Sequence, residues 1–133
     1  MRRVITTLAV CAALACPRAA LAVGLGPILK QGVTDGPAKA FYLTLINPLP
    51  KARSFIAYAL EANKEISQPR VEIFPRVTKV GGGSKLKILV IARQIQPNES
   101  FTFRVCAEQQ IQKGVIHARV CSKLTARRVP ARS

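Results

Sequence analysis

The side chains able to do chemistry are few in this 133-residue chain, and their spacing argues against catalysis. There is one His, His117, and there are four Cys, at 11, 16, 106 and 121. A single imidazole removes most zinc enzymes and any Ser-His-Asp or Cys-His relay, which would need His117 beside well-placed partners. Glu61, Glu65 and Glu72 lie on or between separate strand-like segments with no sign of convergence, so general acid–base chemistry has no candidate pair. Gly81-Gly82-Gly83-Ser84-Lys85 fails the phosphate-loop spacing and no helical pattern follows it; it reads as a turn. The expectation is a binding protein and not an enzyme, with no catalytic residue, metal or cofactor.

Charge sets the next bound. Lys plus Arg number 21 against 6 Asp plus Glu, a formal +15, in a composition 49% hydrophobic and 20% charged. That is globular composition at a length for one domain. The excess charge suggests nucleic acid, yet the basic residues are spread over every segment and the aromatics are few. Nucleic-acid binding is therefore set aside. A basic surface of this kind suits acidic protein subunits or anionic lipid head groups.

The first 22 residues have the pattern of an export signal. Arg2 and Arg3 precede the apolar run Val4 to Ala15, too short to span a bilayer, and Ala20-Leu21-Ala22 supplies a small-x-small cleavage site. A buried N-terminal helix and a lipid anchor on Cys16 are the lesser alternatives; Ala13-Leu14-Ala15-Cys16 fits a lipoprotein signal poorly. The expected division is signal peptide 1–22, domain 23–125 and basic tail 126–133. Of the 21 basic residues, three (Arg2, Arg3 and Arg18) leave with the signal, so 18 face the same 6 acids, a net +12. No transmembrane segment is expected to remain.

The elements that must carry these residues repeat with period two. Phe41, Leu43 and Leu45 alternate with Tyr42, Thr44 and Ile46; Phe55, Ala57 and Ala59 alternate with Ile56, Tyr58 and Leu60. Val71 and Ile73 mark a short strand stopped by Pro75. Leu86, Ile88 and Val90 form a further row, then Phe101, Phe103 and Val105, then Ile116, Ala118, Val120 and Leu124. With a first strand near Leu25 to Gln31 this predicts an all-β, seven-stranded immunoglobulin-like sandwich.

The last hairpin can be read in register. A two-residue turn at Lys113-Gly114 pairs positions whose numbers sum to 227, so Glu108 faces Arg119, Cys106 faces Cys121, and Arg104 faces Lys123. Alternation puts both thiols on the outer face, and directly opposed residues are close enough for a cross-strand disulfide. Cys106–Cys121 is the expected bond of an exported chain. Arg104 opposite Lys123 is a like-charge pair, unfavourable without an anion. It is either a carboxylate cradle or two side chains splayed into water.

These segments resemble the N-terminal, immunoglobulin-like domain of the periplasmic pilus chaperones (PapD-like). Asp35-Gly36 leading into Phe41 to Asn47 is similar to that family's second strand, which ends in Asn. Phe74 to Lys85 is similar to its Pro-rich segment, Phe101 to Val105 to its sixth strand, and Val115 to Leu124 to its subunit-binding seventh strand. The resemblance implies a periplasmic chaperone that lends its last strand to secreted pilin-like subunits, with an outer-membrane usher as a further partner in pilus biogenesis. Ile116, Ala118 and Val120 would then be the donated row; the other reading has them face the domain's own core. The family grips the subunit's terminal carboxylate with a basic pair. Lys123 is the match on the last strand, with Arg127 a rival, and Lys30 an imperfect stand-in for the first-strand Arg. At this length one domain is expected, without a counterpart of the family's second domain. The alternative function is a structural or adhesive immunoglobulin-like module of a cell-envelope complex.

Overall fold

In the computed structural model, which describes residues 24–110 and 119–131, the alternating segments form nine strands and, among those residues, no helix. β1 (Gly24–Gly26), β2 (Leu29–Thr34), β3 (Lys39–Ile46) and β4 (Arg53–Glu61) come first; β5 (Val71–Phe74), β6 (Val77–Val80), β7 (Lys85–Ala92), β8 (Ser100–Gln109) and β9 (Arg119–Arg128) follow. They make a four-stranded sheet in the order β1-β3-β7-β5 and a five-stranded sheet in the order β2-β9-β8-β4-β6. The expected leader 1–22, with Cys16, and the expected turn at Lys113-Gly114 lie outside the described residues.

The all-β, immunoglobulin-like sandwich is as expected, with two strands more than predicted. Both extra strands arise at a proline: Pro27 divides the expected first strand, and a new strand forms beyond Pro75. Pro27 has no N–H to continue a ladder, and on either side of it the first strand belongs to different sheets, β1 with β3 and β2 with β9. Beyond Pro75 the chain does not stop but resumes as β6, paired with β4 in the opposite sheet. The basic tail is expected from residue 126; β9 in fact runs to Arg128, Ala126 is buried in the core, and Val129 N–H donates to the Thr34 carbonyl.

Period two buries one face of each long strand. Phe41, Leu43 and Leu45 of β3 meet Phe55, Phe103, Val105 and Leu124 from the other sheet in one core cluster. Phe103 contacts Phe41 edge-on at 6.3 Å and Phe101 at 5.1 Å. Each such side chain contributes roughly 1.5–3 kcal/mol of transfer free energy when fully buried.

At one end of the sandwich a polar side chain does the joining. Asn47 closes β3 with no exposed surface. Its amide donates to the carbonyls of Lys51 and Val80 at 3.0 Å and of Gly81 at 3.2 Å, and its Oδ1 accepts from the Leu49 N–H at 3.1 Å. The Asn47 N–H donates to Ser84 O as well. One residue therefore ties the β3–β4 loop to the β6–β7 turn. That turn packs closely enough that a Cβ on Gly82 would overlap the Pro50 carbonyl.

Asn47→Ala should leave those carbonyls without a buried donor and cost about 3 kcal/mol. Urea unfolding should show a lower midpoint at unchanged slope. A loss below about 1 kcal/mol would remove Asn47 from this role.

Candidate functional site

The β8–β9 hairpin carries most of the residues singled out above. Its register is the expected one: Arg104 faces Lys123, Cys106 faces Cys121 and Glu108 faces Arg119. The disulfide is formed, with Cα atoms 4.0 Å apart and a separation of 15 residues. A loop of that size is worth on the order of 3 kcal/mol by the chain-entropy account. The bond lies on the outer face, yet Cys106 itself has no exposed surface. Tyr58 of β4 stands opposite it on the other side.

β9 is covered along only part of its length. β2 pairs with it in parallel from Leu29↔Lys123 to Thr34↔Arg128 and reaches no further. Lys123 N–H donates to the Ile28 carbonyl at 2.7 Å, so N–H groups of the same parity, Arg119 and Cys121, point to the same edge. Among the described residues none takes up those groups. The half-edge from Arg119 to Ser122 is open among the described residues.

The inward side of this segment belongs to the domain. Ser122 and Leu124 are fully buried, and Val120 is half-buried against the core cluster. At Val120, then, the row faces its own sheet partner across the sandwich. Ile116, Ala118 and His117 lie outside the described residues.

The basic candidates have three different fates. Arg104 turns away from Lys123: Nη1 and Nη2 donate to Glu65 Oε1 at 3.2 Å, Nε to the Glu61 carbonyl at 3.0 Å and Nη2 to the Lys64 carbonyl at 2.9 Å. Arg119 grips the same carboxylate, Nη1 to Oε2 at 2.7 Å and Nη2 to Oε1 at 3.2 Å. The anion that the like-charge hairpin calls for is thus internal, and it latches the loop after β4 onto two strands. The hydrogen bonds from Arg119, then Arg104, hold the Glu65 carboxyl down at about 2, from an ordinary 4.5, and raise the Arg119 guanidinium in turn. Sequence reading missed this because Glu65 stands 39 residues from Arg104 and 54 from Arg119, with no local pattern to join them.

Lys123 has no partner among the described residues. It opens onto a shallow hollow of about 420 Å³ on the outer face, shared with Leu29, Gln31, Asn63, Thr102 and Thr125. Thr102 and Thr125 are joined through their hydroxyls at 2.9 Å.

Lys30 is spent elsewhere. β1 covers β3 only at Thr44 to Ile46, which leaves a second half-edge on the other sheet. There Lys30 Nζ donates to the Tyr42 carbonyl and Thr34 Oγ1 to the Ala38 carbonyl, each at 3.0 Å. β2 lies so close at this point that a Cβ on Gly32 would come within 2.6 Å of Lys39 Cε and 2.9 Å of Phe41 Cε1. Side-chain donors thus occupy the edge of β3, whereas nothing described occupies the edge of β9. Among the described residues no group of three or more His, Cys, Asp or Glu converges as a metal site.

In its two-sheet topology, with the first strand divided between the sheets, the domain has the fold of PapD-like immunoglobulin sandwiches. No family model and no curated protein sequence matches the chain. Solved structures do. The E. coli chaperone DraB is 17% identical with a TM-score of 0.64, covering 81% of this chain and 55% of that one. The SafB chaperone solved with the Salmonella enterica SafA pilin is 16% identical at TM-score 0.66, covering 83% and 56%. A PapD-like domain of human CEP192 is 10% identical at TM-score 0.65, covering 90% and 95%. The chain spans about half the length of the two bacterial structures.

Two outcomes follow from this geometry. The Glu65 pKa is depressed by folding, so the latch is fully held above about pH 4.5 and is lost as pH falls toward 2. A carbon-detected titration should place the Glu65 midpoint near 2, and Arg104→Ala with Arg119→Ala should return it to the ordinary range; an unchanged midpoint would break the assignment. Lys30→Met should uncover the β3 half-edge, and sedimentation velocity should then show concentration-dependent self-association. A variant as monodisperse as its parent at every concentration would deny Lys30 this protective role.

Proposed function

We propose that this chain is a chaperone-like protein of the cell envelope. It captures a secreted, pilin-type subunit that lacks a strand, by pairing the open half of β9 with the gap in that subunit. The observation that carries the reading is the end of β2 coverage at Lys123, which leaves Arg119 and Cys121 with edge-facing backbone groups. Strand addition uses such groups for affinity and alternate side chains for specificity.

The donated row in this reading is Ile116 and Ala118, ending at Val120, which packs against the domain's own core. Lys123, with no side-chain partner among the described residues and beside the Thr102–Thr125 hollow, takes the subunit's terminal carboxylate. Arg104 and Lys30 give that role up to Glu65 and Tyr42 respectively. Support comes from solved complexes of similar folds: SafB with its pilin, and the chaperone CsuC with the tip subunit CsuE. The compartment is the periplasm, reached through the leader 1–22, and an outer-membrane usher is a further partner.

A second reading, a structural module of an envelope complex, draws on the CEP192 domain. There the same sandwich makes up nearly the whole of the solved chain, in a human protein.

The test separates backbone pairing from side-chain contacts. Tagged protein is recovered from the envelope fraction of its own host and the captured chains are identified by mass spectrometry. A strand-deficient subunit should be recovered with the parent and with Arg119→Ala, which keeps the edge amide, and lost with Arg119→Pro, which does not. Both variants lose the Arg119 half of the latch, so the difference reports the N–H alone. Equal recovery by the two, or recovery of no such subunit, leaves the structural module as the reading.

A further inference from the structure

The outer face of the four-stranded sheet carries an aromatic and aliphatic row that no part of the described chain covers. Tyr42 of β3, Leu89 of β7 and Phe74 of β5 stand directly opposite one another in register. Tyr42 is 57% exposed and Phe74 51%. Neighbouring strands lie about 4.8 Å apart, so the row spans roughly 10 Å across three strands. Exposed large apolar groups lined up in this way mark an interaction surface.

Charge then selects the partner. Lys87 and Lys85 follow along β7 on the same face, opposite Thr44 and Ile46. Both are exposed, and neither has a partner among the described residues. The acid on this face, Glu72, is already bridged to Arg93 at 3.2 Å. The surface is therefore apolar at its centre and cationic toward one end.

The identity of those cations matters. Arg70, Arg93, Arg104 and Arg119 are committed to carboxylates of the chain itself. What this face presents instead is lysine, a flexible point charge without a fork for bidentate recognition. Lysine beside half-exposed aromatics on an uncovered sheet face suits a diffuse negative surface better than one shaped carboxylate partner.

We propose that the Tyr42–Leu89–Phe74 face, with Lys85 and Lys87, docks on an anionic phospholipid bilayer. The aromatics enter the interfacial region and the lysines meet the head groups. This is independent of client capture, since β9 belongs to the other sheet.

The chain has no Trp and two Tyr, Tyr42 and Tyr58, so tyrosine emission reads the face directly. The mature protein is mixed with phosphatidylglycerol vesicles bearing brominated acyl chains, and with phosphatidylcholine vesicles, at about physiological salt to screen general attraction. Quenching is expected with the anionic vesicles only and should vanish in Tyr42→Phe, because Tyr58 lies on the opposite sheet. Lys85→Gln with Lys87→Gln should weaken binding on the order of tenfold or more. Phe74→Ser should weaken it without changing charge. Lys64→Gln with Lys79→Gln removes as much charge from other surfaces and should bind like the parent. Equal weakening by both lysine pairs would reduce the effect to net charge and overturn the proposal. So would binding without Tyr42 quenching, or no binding to the anionic vesicles.

Discussion

A first strand divided between two sheets is the constraint on which the rest of this domain depends. Pro27 removes one donor from a ladder, and the chain resolves the gap by giving three residues to β3 and six to β9. Neither sheet is covered to its end. Two half-edges result, one at the start of β3 and one at the start of β9. The first is answered by side chains, Lys30 and Thr34 donating to carbonyls that no strand reaches. The second is left to whatever else can pair with it. Within β2, Gly32 leaves room for Lys39 and Phe41, whose side chains a Cβ there would meet.

Two fixings hold the rest in place around those edges. Asn47 gathers loop carbonyls at one end, a buried polar hub whose groups are all satisfied and which therefore orders the turns instead of straining them. Glu65 gathers two arginines on the outer face. An exposed ion pair alone is worth little, but this carboxylate is shared by guanidinium groups on adjacent strands and backed by backbone carbonyls that Arg104 also reaches. The open segment of β9 is thus flanked by a rigid outer face and a packed inner one.

Much of this was legible in the residues. Alternation placed the core rows of β3, β4, β7 and β8, because burial on one face imposes a period of two whatever the topology. The hairpin register followed from one turn position and held from Glu108 to Arg104, disulfide included. What sequence did not disclose was long-range or lay at boundaries. Val77 to Val80 reads as loop beyond a proline, and only its pairing with β4 makes it a strand. Ala126 looked like tail because basic neighbours hide a single small buried residue. Lys30 and Arg104 were assigned to an incoming carboxylate by type and position; a carbonyl of another strand and a glutamate of a distant loop claim them instead. No local pattern encodes either contact.

The cross-link between Cys106 and Cys121 sits within the uncovered stretch of β9. A strand held only by hydrogen bonds can slide by one residue and exchange its two faces, the slip to which free edges are prone. Here that sliding is forbidden covalently, so the exposed groups of residues 119 and 121 are offered in a single phase. Any chain that adds to this edge meets a template with a set zero, and the choice of which of its own side chains turn inward rests with the newcomer's sequence alone.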